Sequence, residues 1–189
     1  MNAAEKPVPP RPGLGALDAR LAEILRVDHA GELAAVHIYR GQQAVFSAGA
    51  ATQPAAAETA EMGAQEADHL KAFDDLLNAR GVRPSLLAPL WRTAGFALGA
   101  ATALIGEKAA HACTEAVENV IETHYAGQIA EIADREPELA QRLSQYRDDE
   151  LAHRDRAVAQ GAHEAPGYAL LSAVIRLGCQ TAIKVAEKL

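Results

Sequence analysis

The stretch EADHLKAFDDLL, residues 66–77, decides the fold, and DDELAHRDRA, residues 148–157, repeats its central feature. Each contains a glutamate followed three residues later by a histidine, and the two pairs are Glu66 with His69 and Glu150 with His153. Residues three apart share one face of an α-helix, so each pair is able to hold one metal ion. Because Glu-x-x-His is short enough to arise by chance, the surrounding pattern has to decide whether the pairs are functional.

Both pairs lie on otherwise apolar stripes that have the spacing of an α-helix. The first stripe consists of Met62, Glu66, His69, Phe73 and Leu76. The second consists of Leu139, Leu143, Tyr146, Glu150, His153 and Ala157. A third, with members seven residues apart, consists of Leu25, Glu32, Tyr39 and Phe46. We expect these faces to point into the protein, where an unpaired carboxylate would cost several kcal/mol or take up a proton.

A further glutamate precedes each Glu-x-x-His pair on the preceding long helical segment. Glu32 lies 34 residues before the glutamate of the first pair, and Glu118 lies 32 residues before that of the second. This pattern indicates a duplicated helix pair, and four helices with these ligands form the bundles that hold two iron or two manganese ions. In the second half the spacing favours Glu118 but does not exclude Glu115 or Glu122, which lie on the same side of the helix.

Charge balance favours metal ions at such a site. Four carboxylates and two neutral imidazoles around two divalent cations sum to zero, so the cluster can be buried without net charge. Without cations, four inward carboxylates would repel one another. Glutamate and histidine ligands suit iron or manganese. Structural zinc prefers thiolates, and the two cysteines, Cys113 and Cys179, do not have zinc-site spacing.

Proline and glycine divide the chain into six predicted helices. They cover residues 17–48, 54–79, 84 onward, 107–134, 137 to just before 161, and 166 to the C-terminus. Gly81 is the expected stop of the second helix, and Pro89 either belongs to the first turns of the third or forces a later start. Since no segment alternates with the period of a β-strand, we predict an all-α domain over residues 17–189. Residues 1–16 are expected to form a proline-rich disordered leader.

Composition narrows the classes of function. The 189 residues are 49% hydrophobic and carry a formal net charge of −7. A negative chain is a poor partner for nucleic acid, because phosphate binding needs a basic face. Two cysteines exclude a disulfide-dense secreted scaffold, and a reducing compartment is the simplest expectation.

Two stretches are too apolar for ordinary surface helices. Residues 86–106 contain one charge, Arg92, and residues 168–183 contain one charge, Arg176. Composition leaves two interpretations open: a buried core helix or subunit interface, or a helix pair that lies in a membrane surface and lines an entry for a lipid. Neither stretch has 18 charge-free apolar residues, so a membrane-spanning helix is not expected.

Four motifs around the candidate ligands closely resemble those of the demethoxyubiquinone hydroxylases of ubiquinone biosynthesis. They are RVDHAGELAAVHIYRGQ (26–42), EADHLKAFDDLL (66–77), CTEAVENVIETHYAGQI (113–129) and DDELAHRDRA (148–157). The resemblance runs from about residue 17 to the C-terminus, and DHAGE and VENVIETHY are far more specific than Glu-x-x-His. It implies a ferritin-like four-helix bundle with two additional apolar helices and a carboxylate-bridged di-iron centre. The implied reaction is hydroxylation of the ring of a polyprenylated methoxy-benzoquinone with O2.

Carried over residue by residue, the resemblance implies six iron ligands: Glu32, Glu66, His69, Glu118, Glu150 and His153. Glu66 and Glu150 are the candidates to bridge both ions. Tyr125 and His124 match a His-Tyr pair of the family near the metals and are candidates for a reductant or electron path, although Tyr125 alone could be a core aromatic. The segment Ala152–His153–Arg154 departs from relatives that are more acidic or richer in histidine, which affects only groups around the ligands.

The resemblance also implies a peripheral membrane enzyme, which we expect at the cytoplasmic face of a bacterial-type inner membrane. With a net charge of −7, attachment has to be mainly hydrophobic, with Arg92 and Arg176 reaching toward head groups. A homo-oligomer or contact with other quinone-biosynthesis proteins is compatible with the same surfaces. Electrons are expected to derive from NADH, directly or through another donor, although no GxGxxG or other nucleotide motif is present.

Two other functions share parts of this pattern. A ferritin-type iron store or a rubrerythrin-like peroxide scavenger would use the same bundle and ligands, but has no evident need for the charge-poor residues 86–106. A non-catalytic helical scaffold would satisfy the inward glutamates and histidines with salt bridges. Absence of bound iron or manganese, together with an unchanged stability of Glu66→Ala, would favour the scaffold.

Overall fold

The computed structural model describes residues 16–188, with side chains from residue 19, and contains six helices and no strand within that range. The helices are α1 (Ala16–Phe46), α2 (Gln53–Arg80), α3 (Ala88–Ile105), α4 (Glu107–Ile132), α5 (Pro137–Ala159) and α6 (Tyr168–Ala186). A short 3-10 turn, Ala162–Glu164, lies between α5 and α6. The predicted all-α class is confirmed. The predicted leader lies outside the described residues except for Ala16, which begins α1.

Proline and glycine mark the helix ends, as the sequence predicts. Pro54, Pro89 and Pro137 each lie in the first turn of their helix, where a missing backbone N–H costs nothing. Gly81 ends α2 in the left-handed conformation, with a φ of 63°, which glycine adopts without steric cost. Helix α3 begins at Ala88. It therefore starts later than residue 84, with Pro89 in its first turn.

The helices form two matching halves. Helices α1 and α2 pack as one antiparallel hairpin, and α4 and α5 pack as another. The third helix of each half returns to the first, so that α3 packs on α1 and α6 packs on α4. The duplication that the ligand spacing indicates therefore extends to the apolar helices. The structure is the predicted four-helix bundle, α1, α2, α4 and α5, with α3 and α6 added outside it.

The core differs between the two ends of the bundle. One end is filled by large side chains, among them Leu21, Ile24, Leu25, Phe73, Leu77, Tyr125 and Leu143. The other end is filled mainly by alanines around Phe46. The predicted stripe on α2 is correct up to Phe73, but Leu77 rather than Leu76 completes the buried face. A step of four residues there keeps pace with the 3.6-residue turn of the helix.

Helix α3 lies unusually close to α1 because glycines face the contact. A Cβ atom on Gly99 would overlap the carbonyl oxygen of Ile38, and one on Gly41 would overlap that of Phe96. The backbones of α1 and α3 are therefore in direct contact at a glycine of each helix, and only glycine leaves space for this. This contact fixes the position of α3 against α1.

The outer faces of α3 and α6 are apolar and exposed. Of the nine large hydrophobic side chains that are exposed in residues 19–188, seven lie on α3 or α6: Leu90, Phe96, Leu104, Ile105, Leu170, Val174 and Leu177. Leu86 lies just before α3, and Val158 lies on α5. The interpretation as buried core helices is therefore wrong for this chain. Contrary to expectation, α6 is long and apolar enough to cross a membrane by length and composition, although one such helix carries little weight alone.

We expect Gly99→Ala to lower the free energy of unfolding by about 1–3 kcal/mol, because the added methyl group has no space between α1 and α3. The matched control is Gly178→Ala in α6, where a Cβ meets nothing within 4 Å, and where alanine should be neutral or stabilise the helix by up to about 1 kcal/mol. Chemical denaturation followed by circular dichroism measures both. Equal stabilities of the two variants would contradict the close helix contact.

Candidate metal centre

Six side chains from four helices meet at one point inside the bundle. Helix α1 supplies Glu32, α4 supplies Glu118, and the Glu-x-x-His pairs come from α2 and α5. All six are at least 94% buried, and they are Glu32, Glu66, His69, Glu118, Glu150 and His153. The residues that the sequence singles out as metal ligands are therefore brought together rather than scattered.

The cluster divides into two overlapping groups that could each hold a metal ion. In each group, one candidate ligand atom per residue lies within 4.8 Å of all the others. One group contains Glu32 and His69, and the other contains Glu118 and His153. Glu66 and Glu150 belong to both groups, as expected of carboxylates placed to bridge two ions.

Both histidines point the same ring nitrogen inward. Nδ1 of His69 lies 3.4 Å from Glu150, and Nδ1 of His153 lies 2.9 Å from Glu66. The outer nitrogens are held from the opposite side: Nε2 of His69 lies 3.1 Å from Asp149 Oδ2, and Nε2 of His153 lies 2.7 Å from Gln65 Oε1. A carboxylate or amide oxygen is placed to accept the Nε2 proton, so that Nδ1 of the neutral ring would offer its lone pair to a metal ion.

The inward atoms have the bonding deficit that a metal ion would relieve. Buried side-chain atoms are almost always hydrogen-bonded in proteins. Here the unpartnered ones include Glu32 Oε2, Glu66 Oε1, His69 Nδ1, Glu118 Oε2, both oxygens of Glu150, and His153 Nδ1. These oxygen and nitrogen donors are the ligand types that iron and manganese take. The residues fit a pair of such ions, because two histidines are the only basic groups within ion-pair distance of the four carboxylates among residues 19–188.

The pKa values in the cluster are shifted because several carboxylates are buried close together. Burial, together with repulsion from Glu150, raises the pKa of Glu66 and of Glu118 well above the usual range. Burial opposes protonation of His69, but Glu150 and Glu32 outweigh it and raise its pKa to about 11. Burial also opposes ionisation of Glu150, but the two adjacent imidazoles outweigh it and lower its pKa to about 2.

Two buried tyrosines hold the two single glutamates in place. The Tyr125 hydroxyl donates to Glu32 Oε1, and the Tyr39 hydroxyl donates to Glu118 Oε1 at 3.2 Å. Burial and the adjacent carboxylates raise the pKa of both phenols, so both stay protonated and donate. Each half of the protein thus supplies the tyrosine that orients the glutamate of the other half.

The role of Tyr39 was missed from the sequence, although a signal was present. Tyr39 follows Glu32 by seven residues, and Tyr125 follows Glu118 by seven residues. In both halves Gly-Gln stands two and three residues after the tyrosine, so the pattern Glu-x6-Tyr-x-Gly-Gln occurs twice. Aligning the two halves on their single glutamates would have found it.

His124 lies outside the cluster. Its Nε2 atom accepts a hydrogen bond from Gln128 at 2.9 Å, and the same amide group donates to the buried Asp28 at 2.7 Å. Burial and Arg20 lower the pKa of His124, consistent with an accepting, neutral ring. His124 also lines an open polar groove of about 910 Å³. Of the predicted His-Tyr pair, only Tyr125 touches a candidate ligand.

The structure also separates the three glutamates of α4. Glu118 lies in the cluster. Glu115 is buried but already accepts a hydrogen bond from the Tyr168 hydroxyl at 3.1 Å. Glu122 accepts from the Arg147 guanidinium at 2.8 Å. Only Glu118 therefore has an oxygen left for a metal ion at this point.

A small apolar pocket adjoins the residues that carry the cluster. It measures about 90 Å³, and its walls include Gly31 and Val117, the neighbours of Glu32 and Glu118 in the chain. A second apolar groove of about 470 Å³ runs between α3 and α6 on the exposed face. Trp91 and Ala182 line both, so the outer apolar face and the interior pocket share a wall.

Comparison with known proteins identifies the family of this chain. The family model described as ubiquinone biosynthesis protein COQ7 matches residues 19–186. A Rhodospirillum rubrum protein named 3-demethoxyubiquinol 3-hydroxylase is 46% identical, covering 99% of this chain and 85% of that protein. A Mus musculus protein named NADPH-dependent 3-demethoxyubiquinone 3-hydroxylase, mitochondrial, is also 46% identical, with coverages of 90% and 78%. This chain belongs to the ubiquinone biosynthesis protein COQ7 family.

Proposed function

We propose that this chain is a di-iron monooxygenase that hydroxylates the ring of a polyprenylated demethoxy-benzoquinone with O2 in ubiquinone biosynthesis. The observation that carries the proposal is the buried cluster of four glutamates and two histidines whose inward atoms have no hydrogen-bond partner. The names of the relatives point to the same reaction. One oxygen atom of O2 enters the ring, the other leaves as water, and a reductant supplies two electrons.

The proposed ligands are the six residues that meet in the cluster. Glu32 and His69 would hold one iron ion, Glu118 and His153 the other, and Glu66 and Glu150 would bridge them. Bound iron supplies the redox chemistry that activates O2, which no amino-acid side chain provides. The chain itself contributes fixed ligand positions and a site from which water is excluded. The two tyrosine hydroxyls keep the single glutamates oriented.

The substrate is proposed to enter through the apolar groove between α3 and α6. An isoprenoid tail needs an apolar surface along its length, which this groove provides with Leu90, Val174 and Leu177. Trp91 lines both this groove and the interior pocket beside Glu32 and Glu118. A soluble iron store or peroxide scavenger has no use for this arrangement, so it favours the hydroxylase.

Attachment to a membrane surface follows from the same face. The exposed leucines of α3 and α6 would rest in the bilayer, while the acidic remainder of the protein stays in water. We propose the cytoplasmic face of a bacterial-type inner membrane, in keeping with two free cysteines. Helix α6 packs on α4 through Ser172 and Ile175, which suits a helix lying along the surface better than one crossing it.

The proposed source of electrons is a nicotinamide dinucleotide. The sequence favours NADH only by resemblance, whereas the mouse relative is named NADPH-dependent. Comparing the two reductants in the hydroxylation assay decides between them for this chain. Tyr125 is the proposed route into the cluster because its hydroxyl bonds to Glu32, with His124 next to it in the chain.

We expect Glu150→Ala to abolish turnover and to leave far less iron bound than in the wild type, because Glu150 belongs to both metal groups. The measurements are iron quantitation and O2-dependent hydroxylation of a demethoxy-quinone. The matched control is Asp148→Ala, an exposed carboxylate two residues away on the same helix; His163→Ala, outside the bundle, should also have little effect. Full iron content and turnover in Glu150→Ala would refute the proposed site.

Tyr125→Phe and Tyr39→Phe test whether Tyr125 does more than orient a ligand. Each variant removes one hydroxyl that donates to a single glutamate, so positioning alone predicts equal losses of turnover and iron. If Tyr125 carries electrons, Tyr125→Phe should lower turnover at least about tenfold more than Tyr39→Phe at equal iron content. Equal effects would exclude the electron path through Tyr125.

Replacing Leu170, Val174 and Leu177 together by serine should reduce binding to neutral phosphatidylcholine vesicles by more than about tenfold. Each exposed apolar side chain contributes roughly 1 kcal/mol or more when it leaves water, and the buried face of α6 is untouched. Co-flotation measures binding, and Val158→Ser on α5 is the control. A wild-type protein that is a soluble monomer without detergent and does not bind vesicles would contradict the lipid-facing surface. If the wild type is a dimer and the triple variant is a monomer, the face belongs to a subunit interface.

A further inference from the structure

The groups that surround the candidate ligands follow the twofold repeat of the chain. Tyr39 and Tyr125 each donate a hydrogen bond to the single glutamate of the opposite half. The two ligand histidines also bond to the opposite half, through their outer nitrogens. His69 is held by the residue just before Glu150, and His153 is held by the residue just before Glu66.

The repeat breaks at this last pair. The residue before Glu150 is Asp149, which carries a full negative charge when ionised, whereas the residue before Glu66 is Gln65, a neutral amide. The distances are 3.1 Å from His69 and 2.7 Å from His153. Within residues 19–188, His69 is the only group within ion-pair distance of Asp149. The charge of Asp149 is therefore directed at one of the two histidines.

A carboxylate behind a ligand histidine strengthens it as a ligand. By attracting the Nε2 proton, the carboxylate makes Nδ1 more basic, and it also adds negative charge near the cation. An amide oxygen fixes the ring orientation but adds no charge. The metal position beside His69 and Glu32 therefore has the stronger donor set, while the position beside His153 and Glu118 has the weaker one.

We infer that Asp149 makes the two metal positions unequal, so that the ion beside His69 binds first and more tightly than the ion beside His153. The inference depends on the proposed metal centre and adds to it an order of loading. Removing such a supporting group changes metal affinity about 10- to 100-fold. Because the Asp149 side chain is 57% exposed, water screens part of its charge and about tenfold is expected.

The test is a titration of the metal-free protein with Co²⁺, followed by the visible absorption of the bound ion, so that no turnover is needed. Wild-type protein should bind two ions in two steps. Asp149→Asn keeps an oxygen that accepts the His69 proton and removes only the charge, so it should weaken the tighter step about tenfold and leave the weaker one unchanged. Gln65→Glu makes the opposite change and should tighten the weaker step.

Controls separate charge from structure. Asp148→Asn removes an exposed charge next to Asp149 and should leave both steps as in the wild type. The double variant Asp149→Asn with Gln65→Glu should restore two separated steps with the order reversed. His69→Ala would then remove the weaker step in the double variant, but the tighter step in otherwise wild-type protein. If Asp149 only supports the fold, the order of the two binding steps would not reverse in the double variant.

Two results overturn the inference. One is equal affinity of the two positions in the wild type, and the other is an Asp149→Asn isotherm that matches the wild type or weakens both steps alike. If the wild type also hydroxylates a demethoxy-quinone, either result leaves the proposed function intact. If no Co²⁺ or iron binds at all, the metal centre itself and the inference fail together.

Discussion

Four carboxylates buried in one place impose the constraint on which the rest of this structure depends. A carboxylate in a protein interior must be paired, coordinate a cation or take up a proton. Among the described residues the cluster of Glu32, Glu66, Glu118 and Glu150 has two histidines and no lysine or arginine within ion-pair distance. Two divalent cations are the simplest addition that balances the charge and satisfies the free oxygens at once.

The cluster also explains why the two halves need each other. Every supporting contact crosses between them: the tyrosine of one half holds the glutamate of the other, and the polar residue before each Glu-x-x-His holds the opposite histidine. One hairpin alone would leave its single glutamate and its histidine without these supporting contacts. The site is therefore formed only when the hairpins dock, and metal ions bound there would stabilise the docked state.

Periodicity predicts the local part of this arrangement well. A stripe of apolar residues that contains a glutamate and a histidine specifies which face of α2 or α5 turns inward, and Pro54 and Pro137 place the helix starts. It does not predict which side chains touch across the bundle. The hydrogen bond from Tyr39 to Glu118, and the choice of Glu118 over Glu115 and Glu122, depend on helix rotation and on competing partners such as Tyr168 and Arg147.

Helix α1 connects the metal centre to the outer apolar face because its two sides differ in residue size. Its inward side carries Glu32 and Tyr39, while small residues, Gly31, Ala34 and Ala35, line the pocket toward α3 and α6. These small residues leave space that larger side chains would fill, and Gly41 on the same helix permits the close approach of α3. The same choice therefore anchors the apolar helix and keeps an apolar cavity within one helix diameter of the candidate ligands. An enzyme that draws a lipid-soluble ring to a buried metal centre needs both, and neither is required by a bundle that only stores metal.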